Sequence, residues 1–260
     1  MSEWTVDLAA TALLAAADSR DGREPLTAEW PGLDLATGYA VQDETLRRRL
    51  ARGERLVGVK LGLTSRAKQQ QMNVTSPLTA WLTDAMALPA GAAVAQGRLI
   101  HPRAEPEVVF WMRDRLVGPG ITAAAALAAV GAVHAGVEVI DSRYRDFRFT
   151  LPDVVAANAS SGLFVTGPVG LPPPALDLAL EACLLELDGQ VVGAATGAAV
   201  QGHPAEALAL AANDLGRRGL AIEAGWIVLT GGMTDAVEVP RGATLAAHFT
   251  HLGSIFLPGG

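Results

Sequence analysis

Apolar residues follow two rhythms along this chain. Through the first fifty residues they recur at helical spacing. From about Arg55 they gather into short runs cut by glycine and proline. Val6 to Asp18 is an Ala/Leu run that predicts a helix. Asp34 is placed to cap a second helix through Arg49, with Leu35, Tyr39, Leu46 and Leu50 as its apolar stripe. Pro25 and Pro31 fall in the connection between the two.

LVGVKLGL (56–63) predicts a strand, the polar residues 67–73 a helix, and the chain then loops through Pro77. A strand begins near Ala104 and continues through VVFWM (108–112). Residues 121–131 predict a helix, VHAGVEVI (133–140) a buried strand, 152–158 a short helix and GLFVTG (162–167) another strand. Asp188-Gly189 between two apolar runs is a hairpin signal. Pro204 opens a helix to about Arg218, WIVLTGG (226–232) is strand then turn, and residues 244–257 supply one or two final strands. Helices early and irregular strands later point to an α+β fold rather than a βαβ alternation. The expected organisation is a helical segment, 1–54, followed by a β-rich core, 55–260, forming one unit. There is no internal repeat and no low-complexity linker.

Composition narrows the function classes. Half of the 260 residues are hydrophobic and 18% are charged, which excludes a disordered chain and gives a core that needs no disulfide. Twenty basic against 27 acidic residues leave a net charge of −7, with no basic stripe, so neither nucleic acid nor an anionic membrane is an expected partner. The single cysteine, Cys183, allows no internal disulfide, and with an acidic residue where an export signal carries basic ones, a cytoplasmic location is expected. The longest apolar stretch, Ile121 to Ile140, is Ala-rich and contains Glu138; it is expected to be a buried helix running into a buried strand, not a membrane span.

The candidate chemistry lies in three apolar strands. Glu105 and Glu107 are two apart, so a strand turns both carboxylates to one side. Pro106 between them lacks an N–H and implies an edge strand or a bulge. Glu138 stands among valines and an isoleucine, and Lys60 lies in another apolar strand. Unpaired carboxylates facing one interior would repel, and a cation would remove the conflict. Each residue also has an inert reading: the acid pair on a solvated edge, Glu138 half exposed, Lys60 snorkelling or locked in a structural ion pair. If the acids bind a metal, three carboxylates without Cys or His select a hard ion, Mg²⁺ or Mn²⁺. Thr64 and Ser65 follow the lysine strand in a turn suited to a substrate carboxylate. His101 is placed for an outer role at the acidic pair. Asp141 and Arg143 follow the Glu138 strand, positioned to pair with each other or with the surface. Gly231-Gly232 lacks the GxGxxG pattern and no Walker motif occurs, so no nucleotide or organic cofactor is expected. Cys183 sits in an apolar run, as a buried packing residue.

VGVKLGLTSRAKQQQM, HPRAEPEVVF, VEVIDSRYRDFRFTLPDVVAANASS and LTGGMTDAVEVPRGATLAAHFTHLGS together resemble the 2-keto-4-pentenoate hydratase / 4-oxalocrotonate decarboxylase family of the fumarylacetoacetate hydrolase superfamily. The resemblance covers nearly the whole chain. It implies a rolled, largely antiparallel β-sheet core with N-terminal and peripheral helices. It implies a divalent metal on Glu105, Glu107 and Glu138, a catalytic Lys60, and substrate binding by Gly62, Thr64, Ser65, Asn158, Ser160 and Ser161. The implied partners are a small 2-oxo acid, identical subunits and a hydratase. LIHPRAE, VGPG and VIDSRYRDFRF resemble the decarboxylase branch, which acts on 2-oxo-3-hexenedioate. The hydratase branch carries Pro-Asp-Phe where this chain has Pro77-Leu78-Thr79. Hydration of 2-hydroxypenta-2,4-dienoate is the alternative activity, and a hydrolase of a fumarylpyruvate-like C–C bond comes third. A non-catalytic relative that binds metal and oxo acid for a partner enzyme is the reading from another class. One position departs from both branches: Ala157 stands in Ala156-Ala157-Asn158 where the family pattern has an acid.

Overall fold

In the computed structural model, which describes residues 3–65, 69, 77–95 and 97–260, the two rhythms become two layers. Helices α1 (Val6–Ser19), α2 (Leu26–Glu29) and α3 (Leu35–Ala51) precede β1 (Leu56–Gly62) and β2 (Leu78–Thr83). Then follow β3 (Arg103–Met112), α4 (Ala123–Ala128), β4 (Val130–Ile140), α5 (Leu151–Ala156) and β5 (Ser161–Leu171). The hairpin β6 (Ala182–Leu187) and β7 (Gln190–Thr196) leads to α6 (Pro204–Arg217), β8 (Ile227–Leu229), β9 (Val237–Glu238), β10 (Thr244–Phe249) and β11 (Gly253–Pro258). The expected helix over 67–73 falls almost wholly outside the described residues.

The larger sheet runs β2-β1-β8-β3-β4-β5, with β9 also on β3, and the smaller runs β11-β10-β6-β7. Among the pairings between named strands of the described residues only β1 with β8 is parallel, so the core is largely antiparallel as expected. The main core fills the space between the sheets and α6, with Val108, Phe110, Val137, Leu208 and Leu245 fully buried. Asp188 and Gly189 both adopt positive φ (50° and 77°), the conformation a two-residue hairpin turn requires. No helix among the described residues is long and apolar enough to cross a membrane.

Asp34 caps α3 through its carboxylate, which accepts from the Thr37 N–H at 2.7 Å. The predicted stripe of that helix is rotated, however. Leu35 and Leu50 are exposed, and the buried face is Gly38, Val41 and Gln42. Gly38 decides this: a Cβ there would come 2.9 Å from the Pro152 carbonyl, so α3 lies directly on α5. The expected helix over 121–131 is also shorter, because Val130 already belongs to β4 and pairs with Met112. Helices α1–α3 close a second core with Tyr144, Ala156 and Ala157 behind the larger sheet.

Candidate metal centre

The centre forms where β8 stops. That three-residue strand separates β1 from β3. Beyond Leu229 the chain turns away through Gly231 and Gly232, and the sheet opens. Pro106 is explained by the same gap. Strand β3 is not an edge strand, and its one irregularity lies at Trp111/Met112, away from the proline. The Pro106 carbonyl accepts from Met233 N–H, so its backbone points to the side where β8 has already ended. No ladder bond is lost by the missing N–H.

Glu105 lies directly opposite Glu138 across β3 and β4, and Glu107 opposite Gly136. Strand alternation therefore places all three carboxylates on one face. One oxygen from each lies within 4.8 Å of the other two. All three side chains are buried, Glu107 and Glu138 completely. The solvated-edge reading of the acid pair is thereby excluded. Burial, then the Glu138 and Glu105 charges, hold the Glu107 carboxyl well above the usual carboxylate range, against the opposing Lys60 charge and Gly231 N–H. Burial likewise pushes Glu138 up to about 7, although Lys60 pulls it down.

Lys60 faces this cluster from β1. Its Nζ lies 2.9 Å from Glu138 Oε2 and donates to the Ala159 carbonyl at 3.1 Å. The side chain is 3% exposed, so it does not snorkel. Burial works against its charge, but Glu138, Glu105 and Glu107 together outweigh it and hold the ammonium above its ordinary value. Lys60 is a fixed cation here.

The donor set fits a hard divalent ion. Glu107 Oε1 and Glu138 Oε1 have no hydrogen-bond partner among the described residues, and Glu138 Oε2 has only its ion pair with Lys60. Once ionised, the three carboxylates would exceed the Lys60 ammonium by two negative charges, which a doubly charged cation with oxygen ligands would match.

The remaining predicted residues take distinct places. Gly62 ends β1, and its missing side chain faces Ala159 Cβ. Thr64 is buried, and its carbonyl accepts from the Gln201 backbone and side chain at 3.2 and 2.9 Å. Ser65 lies one residue further on, where its carbonyl accepts from Gln69 N–H. Asn158, Ala159 and Ser160 are three consecutive non-glycine residues with positive φ, a strained turn. Asn158 holds it in place by imitating a strand: its Oδ1 accepts from Trp81 N–H at 2.8 Å and its Nδ2 donates to Trp81 O at 2.9 Å. Ser161 donates to the Asn158 carbonyl at 2.8 Å, and the Ser160 carbonyl accepts from Asp141 N–H at 2.7 Å. The turn thereby delivers the Ala159 carbonyl to Lys60.

Two contributors were not assigned from sequence. Gly231 N–H donates to Glu107 Oε2 at 2.6 Å, and Gly232 lies against Glu105. A Cβ on Gly231 (φ 106°) would come 2.1 Å from Thr64 Oγ1, and one on Gly232 2.2 Å from Glu105 Oε2. The available signal was a glycine pair directly after an apolar strand. His101 sits outside the cluster: Nε2 lies 2.9 Å from the Ser142 carbonyl and the ring stacks on Phe147. Arg143 donates to the Asp141 carbonyl, and the Asp141 carboxylate, which acts on it by charge, makes no ion pair with it among the described residues. The Cys183 thiol is buried and pushed up to about 12, chiefly by that burial.

No family model matches the chain. It is 44% identical over 230 residues to 4-oxalocrotonate decarboxylase of Pseudomonas sp. (strain CF600), across 88% of this chain and 87% of that one. It is 42% identical over 220 residues to 2-hydroxyhexa-2,4-dienoate hydratase of Comamonas testosteroni, across 84% and 83%. Among solved structures, 4-oxalocrotonate decarboxylase from Pseudomonas putida G7, complexed with magnesium and adipate, matches over 100% of both chains with a TM-score of 0.94 at 37% identity. A fumarylacetoacetate hydrolase from Exiguobacterium antarcticum shares the fold alone, with a TM-score of 0.63 at 13% identity over 80% of this chain and 76% of that one. Identity of this order, sustained over most of both sequences and joined to a whole-chain structural match, places the chain in the 4-oxalocrotonate decarboxylase / 2-keto-4-pentenoate hydratase family of enzymes.

Proposed function

We propose that this protein decarboxylates 2-oxo-3-hexenedioate to 2-hydroxypenta-2,4-dienoate, with Mg²⁺ or Mn²⁺ held by Glu105, Glu107 and Glu138. The observation that carries this reading is the convergence of three buried carboxylates, with oxygens lacking donors, beside a single buried ammonium. In this substrate the C6 carboxylate is a vinylogous β-keto acid. When the C5–C6 bond breaks, its electron pair passes through C4 and C3 to the C2 oxygen. A bound divalent ion would supply positive charge to that oxygen.

The chain's own residues do the rest. Lys60, held by Glu138 and the Ala159 carbonyl, supplies a fixed N–H donor and a proton close to the developing negative charge. Gly231 orients Glu107, and the bare α-carbons of Gly231 and Gly232 keep the site open beside Thr64 and Glu105. Thr64, Ser65 and the 158–161 turn border the substrate. Relatives named as decarboxylases support this branch, as does the solved decarboxylase with adipate, another six-carbon dicarboxylate. Leu78, where the hydratase branch has its acid, is a buried apolar residue.

Hydration of the dienoate is the second reading, because relatives of 42% and 41% identity carry hydratase names. We also assign the enzyme to the cytoplasm and to assemblies of identical subunits, alone or with a hydratase. Leu184 and Phe256, exposed on one face of the smaller sheet, support self-association. Purified protein with Mg²⁺ is given each substrate in turn. CO₂ release from the hexenedioate, abolished by chelator, is expected. Consumption of the dienoate without CO₂ release would establish the hydratase instead, and metal and oxalate binding without turnover of either would leave a non-catalytic relative.

A further inference from the structure

Between α1, α3, β2 and the turn at 156–158 lies a cavity of about 90 Å³, whose lining does not include Lys60. Arg143 lines it and is 8% exposed. Its Nη1 donates to the Asp141 carbonyl, and its Nε and Nη2 have no partner among the described residues. The other charges on the walls are matched: Arg49 with Glu54 at 3.0 Å, and Arg52 with Asp18 at 3.1 Å. The Asp141 charge favours the guanidinium, but its carboxylate accepts from the amides of Ile100 and His101 and makes no ion pair with Arg143 among the described residues. Two more buried polar atoms on the walls are orphans, Gln42 Oε1 and Thr45 Oγ1. A buried guanidinium with no carboxylate in contact is costly, and so is a buried hydroxyl without a partner.

The geometry of what is left over selects the ligand. Nε and Nη2 form the edge of a guanidinium that grips a carboxylate with two parallel bonds. Arg47 uses that edge on Glu44, at 2.7 Å to each oxygen. The Ala157 methyl also lines the cavity, at the position where the family pattern has an acid.

We propose that this cavity is an anion site, distinct from the metal centre, that takes a small monocarboxylate of formate or acetate size between the free edge of Arg143 and the Thr45 hydroxyl, in the room that Ala157 leaves. Its ligand would brace residues 157 and 158, which line the cavity and precede the Ala159 carbonyl that holds Lys60.

The test uses the full chain stripped of metal, so that no ion at the glutamates recruits acetate. Sodium acetate is titrated at constant ionic strength while the melting temperature is followed. A saturable rise of about 2–4 °C is expected, as for roughly 1 kcal/mol in a chain of this size. Ala157→Asp supplies the carboxylate covalently; it should melt higher without acetate and lose the acetate response. Ala157→Asn, which fills the same space without charge, should gain less. A wild-type melting temperature indifferent to acetate would overturn the proposal, as would a response undiminished in Ala157→Asp or equal gains from Asp and Asn. A crystal of the metal-free wild type grown in acetate gives a readout that needs no variant. Planar density on Arg143 Nε and Nη2 supports the site, and water alone in the cavity overturns it.

Discussion

Metal removal should make the stability of this protein depend on pH in a direction opposite to that of ordinary ion-paired carboxylates. Glu138 is pushed up to about 7 and Glu107 well above the usual range in the metal-free fold, whereas both return to about 4.5 when the chain unfolds. The folded state then binds more protons than the unfolded state above pH 4.5, so stability falls as pH rises. The loss begins near 4.5, runs through about 7 for Glu138, and extends higher for Glu107. For Glu138 alone, the displacement from 4.5 to about 7 is worth about 3 kcal/mol. Urea unfolding of the chelator-treated protein between pH 5 and 9 measures this slope. Saturating Mg²⁺ should restore stability most at the alkaline end, where the carboxylates are ionised. Glu107→Gln keeps an acceptor for Gly231 N–H but removes one charge, so it should flatten the metal-free slope and weaken the Mg²⁺ response together. Metal-free stability that is level between pH 5 and 7, or an undiminished Mg²⁺ response in Glu107→Gln, would refute the electrostatic account of the centre.

Lys60→Ala should lower kcat by roughly 10²–10⁴-fold, the range for loss of a positioned proton donor, with the fold intact by circular dichroism; an unchanged kcat would leave the lysine a structural ion-pair partner. Gly232→Ala should weaken metal binding, read by calorimetry, because its Cβ would come 2.2 Å from Glu105 Oε2; wild-type affinity would show that the turn yields freely. Asn158→Ala removes both bonds to Trp81 and places alanine at φ 55°, so a loss of about 2–4 kcal/mol in urea unfolding is expected, and wild-type stability would contradict the bracing role. Asp34→Ala should lower the urea midpoint through loss of the α3 cap, with no change in the metal response; an unchanged midpoint would show that the cap is dispensable.

What the sequence determined by itself is what local physics can express. Short apolar runs cut by glycine and proline announced the strands, and a spacing of two put Glu105 and Glu107 on one face. Asp34 marked its helix start, and Asp188-Gly189 its hairpin. Three acids and a lysine inside apolar strands stood out because burial of charge needs a reason. Tertiary structure alone decided the rest, because each remaining feature depends on chain segments far apart in sequence. The glutamates oppose one another only through the register of β3 on β4. Lys60 reaches Glu138 only because β8 is short, and that shortness also explains Pro106 inside a central strand. The buried face of α3 followed from one glycine meeting Pro152 rather than from its leucines. Gly231 and Gly232 carry no side chain to advertise a role, and they acquire one only when Glu105, Glu107 and Thr64 press against them. Arg143 looked like a surface partner for Asp141, and only packing showed its charge buried beside the space left by Ala157.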